Sequence, residues 1–529
     1  MPLVARCQRK IFIAIAADEP MHKACFDQSD VFAFLADPAT HELREPIIRI
    51  DTHGAAVFLA GKNVYKVKRA VRFPFMDFST LDKRRRACER ELAVNEADAP
   101  GLYLGVVPIS KDGFHLKFGG GGTIVEWAVH LRRFDENRTL DRLVKRNELN
   151  LEIIAKLAGV VAASHRRAPI ISGANAGQAL QRQIEETLIS LEAAPGIFAA
   201  QAVAGLRHAM QQAFARLAPL LSERENQGQV RRCHGDLHLR NIVLIEDRPV
   251  LFDAIEFDEA IATCDVLYDL AFLLMDLWTR GLRSHANLLF NRYLWICDDV
   301  ERQLKGLSLL PLFLSLRAAI RAKVSILQPG SGEDHAKDAR RHFEAACGLL
   351  APRRLDLVAI GGLSGTGKSS LAAALSGSIG RAPGAVHLRS DIERKRLFDV
   401  PEFDRLPGEA YRPEATARTY QRLRDLAATA LDAGQSVVMD AVHLRPEERV
   451  AVKQVGSRSK AHFTGLWLEG PINTLMERIA KRKTDASDAT ADVVSSQAKQ
   501  PTGAVDWLRV DASSPVESIV SRVLAAILG

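Results

Sequence analysis

The stretch His234-Gly235-Asp236-Leu237-His238-Leu239-Arg240-Asn241, followed after a short apolar hairpin by Leu251-Phe252-Asp253, decides how the first part of this chain is read. It sets a carboxylate, Asp236, shortly before an amide, Asn241, and ends a second apolar strand on another carboxylate, Asp253. A carboxylate held in a loop accepts or orients the proton of an attacking hydroxyl. Asn241 and Asp253 are hard oxygen donors of the kind that magnesium takes. His234 reads as a brace for the loop, and His238 as a hydrogen-bonding group for loop or substrate. His-x-Asp-x-x-x-x-Asn alone is a weak signal; the strand that ends in Asp253 makes it specific.

Working outward toward the N-terminus, Pro46–Asp51 alternates like a strand, Thr52-His53-Gly54 breaks it, and Ala55–Ala60 reads as a second strand. Gly61-Lys62-Asn63 is a turn and Val64–Lys68 a third strand. A helix from Ser79-Thr80 to about Asn95 follows, then a hairpin (Val106–Ser110 and Phe114–Phe118), the run Gly119–Gly122, and a strand Thr123–Val129. A strand rather than a helix after those glycines argues for a connection and against a phosphate loop. The order resembles the N-terminal lobe of the kinase fold, in which a strand lysine contacts the α- and β-phosphates of ATP. Lys66 and Lys68 lie on one strand face. Lys66 is preferred, with Val64 roofing the adenine, because Lys68 in the phosphate role would push Lys66 into the apolar adenine pocket. The helix offers Glu91 or Glu89 to orient that lysine, and Glu91 is carried forward. Glu126-Trp127-Ala128 is expected where the two lobes join, with backbone groups available to adenine.

His-Gly-Asp-Leu-His with Asn241 and Asp253 resembles the aminoglycoside phosphotransferase branch of the kinase-like superfamily. Protein kinases usually have arginine where Gly235 stands and a glycine soon after the metal aspartate, whereas this chain has Asp253-Ala254-Ile255-Glu256-Phe257. The resemblance implies phosphorylation of a hydroxyl on a small molecule. Asp265 and Asp269, in Asp265-Val266-Leu267-Tyr268-Asp269-Leu270-Ala271, read as structural braces of the catalytic loop. Helices expected over roughly 141–225 and about 266–348 would form the larger lobe and shape an acceptor pocket.

A second signature is Gly362-Leu363-Ser364-Gly365-Thr366-Gly367-Lys368-Ser369-Ser370, between the apolar strand Leu355–Gly361 and a helix from Lys368. This is the context of a P-loop: backbone N–H groups cradle phosphate, Lys368 reaches the β- and γ-phosphates, and Ser369 offers its hydroxyl to magnesium. The strand Ala385–Arg389 ends at Ser390-Asp391, and Ser436–Met439 ends at Asp440. Both aspartates would sit at the carboxyl edge of a parallel sheet, where ligands bind. Asp440 is expected to hold magnesium and Asp391 to orient or deprotonate an acceptor hydroxyl. Leu466–Leu468 is a further strand, Pro471–Lys483 a helix ending in cations, Asp485-Ala486-Ser487-Asp488 a lid, Asp506–Val510 the last strand and Ser513–Leu528 the closing helix. Arg478 and Arg482 are carried forward as lid arginines that neutralise transferring phosphate. The segment resembles small P-loop kinases of the gluconate kinase, chloramphenicol phosphotransferase and zeta toxin type.

The fold expected is therefore two-domain: an N-terminal α+β bilobal kinase-like fold over residues 31–350 (small lobe about 45–130, helical lobe about 131–350), and a C-terminal α/β P-loop NTPase with a parallel sheet over 355–529. Residues 1–30 form an extension, where Ile11–Ala17 faintly resembles a leader and Met21 is an alternative start. A chain of 529 residues, 47% hydrophobic and 26% charged, has the size and composition of several globular domains. Its net charge of +7 suits anionic ligands such as ATP. The basic stretches Lys66–Arg72 and Lys83–Arg86 have few interleaved aromatics, so nucleic acid is not the expected partner. Seven scattered cysteines fit a reducing cytoplasm, and no apolar run is long enough for a membrane span. The function expected is a bifunctional kinase using ATP and Mg2+ on small-molecule hydroxyl acceptors. The alternatives are a P-loop kinase regulated by a silent kinase-like ligand-binding domain, and a zeta-like kinase of nucleotide sugars or nucleic acid. Neither acceptor, nor the oligomeric state, is encoded in these motifs.

Overall fold

The computed structural model of the protein describes residues 27–73, 76–326, 333–481 and 485–528. The choice between Met1 and Met21, the leader-like run and Arg482 lie outside the described residues. The chain divides into two compact units, one of Met1–Asp276 with Leu312–Gly348 and the other of Leu277–Pro311 with Leu349–Gly529.

The first unit opens with an antiparallel sheet of β1 (Ile48–Asp51), β2 (Ala55–Ala60), β3 (Asn63–Lys68), β4 (Tyr103–Asp112), β5 (His115–Phe118) and β6 (Thr123–Arg132), in the order β1–β2–β3–β6–β4–β5. Helix α1 (Leu81–Asn95) starts where the Thr80 hydroxyl caps Lys83 N at 3.3 Å. Its inner face carries Ala87, Cys88, Glu91 and Asn95, all buried. The helical lobe contains α2 (Leu151–Arg167), α3 (Ala176–Glu192), α4 (Ala200–Asn226), α5 (Val266–Thr279) and, later in the chain, α7 (Leu310–Ile326). Two short pairs frame the loop that carries Asp236: β7 (Val230–Arg232) with β10 (Thr263–Asp265), and the hairpin β8 (Ile242–Ile245) with β9 (Arg248–Leu251).

The second unit is built on a fully parallel sheet of β11 (Asp356–Gly362), β12 (Val386–Arg389), β13 (Val437–Asp440), β14 (His462–Glu469) and β15 (Leu508–Asp511), ordered β12–β13–β11–β14–β15. Helices α8 (Lys368–Ser376), α9 (Ser390–Leu397), α10 (Pro413–Asp432), α11 (Ile472–Ala480), α12 (Ala491–Ala498) and α13 (Val516–Leu528) connect and cover it. Val358, Ile360, Leu371, Leu375, Val438 and Leu466 form the centre of its core.

The unit boundary differs from the single division expected near residue 350. Helix α6 (Arg283–Ile296), read from sequence as part of the first domain, packs in the second unit. Strand β12 is an edge, and an open edge must be covered or paired. Asn287 Nδ2 donates to Pro383 O (3.1 Å) and Ala385 O (3.0 Å), Asn291 Oδ1 accepts from His387 N (2.7 Å), and Trp295 Nε1 donates to His387 O (2.9 Å). These side chains recur at helical spacing and satisfy the strand's outer backbone groups.

Candidate active sites

In the first unit the loop from Cys233 to Asn241 is pinned from several sides. Cys233 N donates to Ala262 O (2.8 Å) and Ile255 N to His234 O (3.0 Å). His234 Nε2 bonds Phe252 O (3.0 Å) while its Nδ1 accepts from Asp236 N (3.3 Å), so both ring nitrogens are spent on the loop. Gly235 has φ +79°, and a Cβ there would stand 3.2 Å from Ala262 Cα, so glycine makes the turn possible. Gly235 N donates to Asp269 Oδ1 (2.8 Å). Burial works to raise the pKa of Asp269, but His165, His234 and Arg317 hold it below the ordinary value. Asp265 takes a two-bond pair from buried Arg224 (2.6 and 2.8 Å). Asp236 itself is 8% exposed. Asn241 Nδ2 donates to Asp236 O (3.0 Å) and Oδ2 (2.9 Å), which leaves its amide oxygen for a cation. Asp253 follows β9 with φ +62°, a conformation uncommon outside glycine, with its N–H on Tyr103 Oη (3.2 Å).

Both strand lysines converge on Glu91. Lys66 Nζ lies 2.5 Å from Glu91 Oε1 and 2.8 Å from Asp253 Oδ1. Lys68 Nζ pairs with the other Glu91 oxygen and with Glu256. Burial opposes the charge on Lys66, and the carboxylates of Asp253, Glu91 and Glu256 outweigh it, so its pKa stands well above the ordinary lysine value. Lys66 and Asp253 line a cleft with Val57, Leu59, Val64 and Phe252. Glu89 is exposed and meets Arg85 at 3.8 Å. Glu256, buried opposite Lys68, has no signal in the sequence pattern.

Glu126 requires correction. It is fully buried within β6, where Arg84 (2.9 Å) and Gln28 Nε2 (2.8 Å) hold its carboxylate. The strand runs on to Arg132 instead of ending at Val129, so the chain leaves the sheet later. Leu131, Arg132, Arg133 and Phe134, not Glu126-Trp127-Ala128, line the cleft.

In the second unit β11 leads into Gly362–Gly367 and α8 begins at Lys368. A Cβ on Gly362 (φ +132°) would lie 2.4 Å from Leu468 O, so the loop can lie this close to β14 only with glycine there. Thr366 N donates to Leu363 O (3.3 Å), Ser364 N to Gln497 Oε1 (2.9 Å), and Lys368 Nζ to Leu363 O (2.9 Å). Ser369 and Ser370 stand in the first turn of α8, where N–H groups lack intrahelical acceptors and favour an anion. Asp440 ends β13 with His387 Nε2 and Arg389 Nε each 3.7 Å from its carboxylate. Burial would raise its pKa, but His387, Arg389 and Lys368 hold it well below the usual range. Asp391, in the first turn of α9, is raised by burial, with Arg389 and Lys368 opposing.

Arg389 joins these groups and was not singled out by sequence. Its Nη2 donates to Ser369 Oγ (3.2 Å) and to Asp485 Oδ1 (2.8 Å) of the expected lid. Asp488 of the same segment takes Leu406 N and Tyr411 Oη, each at 2.9 Å. Arg478 is placed elsewhere: its Nη2 donates to Ala512 O (2.9 Å), in the β15–α13 connection, and it does not meet Asp391, Asp440 or Ser369. The face of α11 that carries it turns to that connection.

The donor sets fit magnesium: Asn241 with Asp253 in one unit, and Ser369 with an ionised Asp440 in the other, offer only hard oxygens.

Residues 91–306 match the phosphotransferase enzyme family, and residues 357–502 match an AAA domain. An uncharacterized protein of Mycobacterium tuberculosis (strain H37Rv) is 28% identical over 500 residues, 92% of this chain and 96% of that protein. A Mycobacterium bovis relative, also uncharacterized, matches with the same figures of 28%, 92% and 96%. Among solved structures, a gluconokinase from Sinorhizobium meliloti is 22% identical, covering 33% of this chain and 92% of its own, with TM-score 0.23. The APS kinase of Mycobacterium tuberculosis is 21% identical over 34% of this chain and all of its own (100%), with TM-score 0.26. A Plasmodium vivax ethanolamine kinase is 13% identical over 57% and 82%, with TM-score 0.34. The family matches support a phosphotransferase made of an aminoglycoside phosphotransferase-type domain and a P-loop kinase domain. No described helix is long and apolar enough to cross a membrane.

Proposed function

We propose that the protein is a bifunctional ATP-dependent kinase, in which each unit transfers the γ-phosphoryl of ATP to a hydroxyl of a small molecule in the cytoplasm. One observation carries this reading: each unit assembles a lysine for phosphate, oxygen donors for a cation and a carboxylate base within one connected set. In the first unit Lys66 pairs with Asp253 and Asn241 with Asp236, and Phe252, next to Asp253, joins the two pairs by donating its N–H to Asn241 O (3.0 Å). In the second the set is Lys368, Ser369, Asp440 and Asp391, tied by Arg389.

The residues divide the work by chemistry. Asp236 and Asp391 take the acceptor hydroxyl's proton as it attacks. Glu91 holds Lys66 toward the phosphates, and Lys368 with the loop N–H groups cradles them in the other unit. Magnesium, when bound, neutralises phosphate charge and aligns it for in-line transfer.

The test is phosphoryl transfer from γ-labelled ATP into a pooled metabolite extract by wild type, Asp236→Ala and Lys368→Ala, with products resolved by mass. Two products, each lost with a different variant, are expected. One product lost only with Lys368→Ala would strip the first unit of catalysis and leave it a ligand-binding partner of the second.

Two further outcomes follow for the second unit. Arg389→Gln should lower its turnover about 100-fold, the scale of removing one preorganised donor at developing charge, with ATP affinity changed much less. Arg389→Lys should recover only part, because ammonium lacks the guanidinium fork that spans Ser369 and Asp485. Steady-state kinetics with the second unit's product separate these. Asp391 must be ionised to act as base, and its pKa is raised. Activity should therefore fall as pH drops through a value above the ordinary aspartate range. A kcat/KM profile of Asp391→Asn that keeps the wild-type acid limb would assign that limb to another group.

A further inference from the structure

Helix α7 runs beneath the catalytic loop of the first unit and presents arginines one turn apart. Arg317 lies over the Tyr268 ring (3.9 Å) and the Phe272 ring (4.8 Å) of α5 and donates to Gly235 O (3.3 Å). Arg321 is one turn further on the same face. There the loop's His238 meets Phe272 edge-on (5.2 Å), and Leu239 N donates to Asp276 Oδ2 (3.1 Å). Arg321 is 9% exposed, and among the described residues its guanidinium makes neither a hydrogen bond nor an ion pair. Its surroundings include Arg240, Asp276, Asp236 and Asp338, and burial, with Arg240, pushes its pKa down to about 10. The nearby acids already have partners. Asp276 takes Leu239 N, Asp338 pairs with Arg341 at 2.5 Å, and Asp236 takes Asn241. Arg240 is half-exposed and only 4.0 Å from Asp141 at its closest. Nearby in the loop, His238 Nδ1 is buried and lacks a hydrogen-bond partner. A guanidinium nine-tenths withdrawn from water and without a protein partner is costly unless a ligand completes it.

We propose that the acceptor of the first unit is a small hydroxyl compound bearing an anionic group, carboxylate or phosphate, with its hydroxyl at Asp236 and its anion on Arg321, assisted by Arg240. This rests on the catalytic reading of Asp236 but has its own test. An anionic acceptor distinguishes this site from one built for polyamines, which would leave carboxylates rather than a guanidinium unpaired.

The full chain carrying Lys368→Ala and saturated with a non-hydrolysable ATP analogue and magnesium is titrated calorimetrically with glycerate, 3-phosphoglycerate and inorganic phosphate, and with glucose and kanamycin as neutral and cationic counterparts. The two anion types identify which group is taken. At least one anion should bind, and Arg321→Gln should weaken it about tenfold or more, the fold-change of one charge-assisted hydrogen bond, with Arg321→Lys intermediate. Arg321→Gln should keep or raise the melting temperature, since it removes an uncompensated charge; a purely structural arginine would lower it. Equal anion binding in Arg321→Gln and its parent, or no anion binding at millimolar concentration, overturns the proposal. Transfer from labelled ATP is read in parallel. Arg321-dependent anion binding without any Asp236-dependent product would keep the anion site and remove the catalytic reading. Phosphorylated glucose or kanamycin made equally well by Arg321→Gln would keep the catalytic reading and remove the anion site.

Discussion

Methionine in place of Lys68 should destabilise the first unit by about 3–5 kcal/mol, the usual cost of removing one partner from a buried ion pair. Lys68 is 1% exposed and stands between Glu91 (0%) and Glu256 (3%). Methionine fills the volume but removes the cation that bridges Glu91 and Glu256, so that Glu91 keeps only Lys66. Lys66 cannot serve both, because it is already engaged with Glu91 and Asp253. Urea unfolding of the full chain, following the first unit's transition, measures the loss. An unchanged midpoint would mean that water or another cation compensates the pair. Lys66→Met should affect stability less and turnover more, because Asp253 retains 17% side-chain exposure in the cleft.

What the sequence revealed follows the distance over which each group finds its partner. The loop around Asp236 and the loop around Lys368 were readable because their chemistry is contiguous and the flanking strands are strongly apolar. Glu91 over Glu89 was decidable in principle: Cys88, Glu91 and Asn95 recur at helical spacing on the buried face of α1. Lys68 and Glu256 are 188 residues apart, so their pairing exists only once the fold is made. Glu126 was misplaced because the polar His130 and Arg132 ended the apparent strand early, although the β3 ladder continues through both. Arg478 illustrates the opposite error, since a cation in the last turn of a helix is ordinary complementation of the helix dipole. Arg389 was overlooked because an arginine closing an apolar strand has no periodic signature. Its position directly before Ser390-Asp391 was the available cue. Helix α6 was readable as a helix, but nothing in its period says which sheet edge Asn287, Asn291 and Trp295 will cover.

Asparagine in place of Asp236 should lower the first unit's turnover about 1,000-fold, within the span attributed to a positioned general base. The replacement isolates chemistry from structure. An asparagine side-chain oxygen can still accept from Asn241 Nδ2, which now sits 2.9 Å from Asp236 Oδ2, and the backbone bonds of the loop are untouched. His238 is not a substitute base. Its Nε2 is 3.5 Å from Asp236, and burial lowers its pKa, so it is neutral near pH 7, but its orphan Nδ1 lies on the far side of the ring from that carboxylate. In the proposed reading ATP is held by Lys66 and the cleft around Asp253, so KM for ATP should change little while kcat falls. Single-turnover kinetics in the Lys368→Ala background, which silences the second unit, separate the two quantities. A loss confined to KM would make Asp236 a binding group, and an unchanged rate would place the base elsewhere. A thousandfold drop in kcat with the unfolding midpoint preserved would identify Asp236 as the group that takes the acceptor's proton.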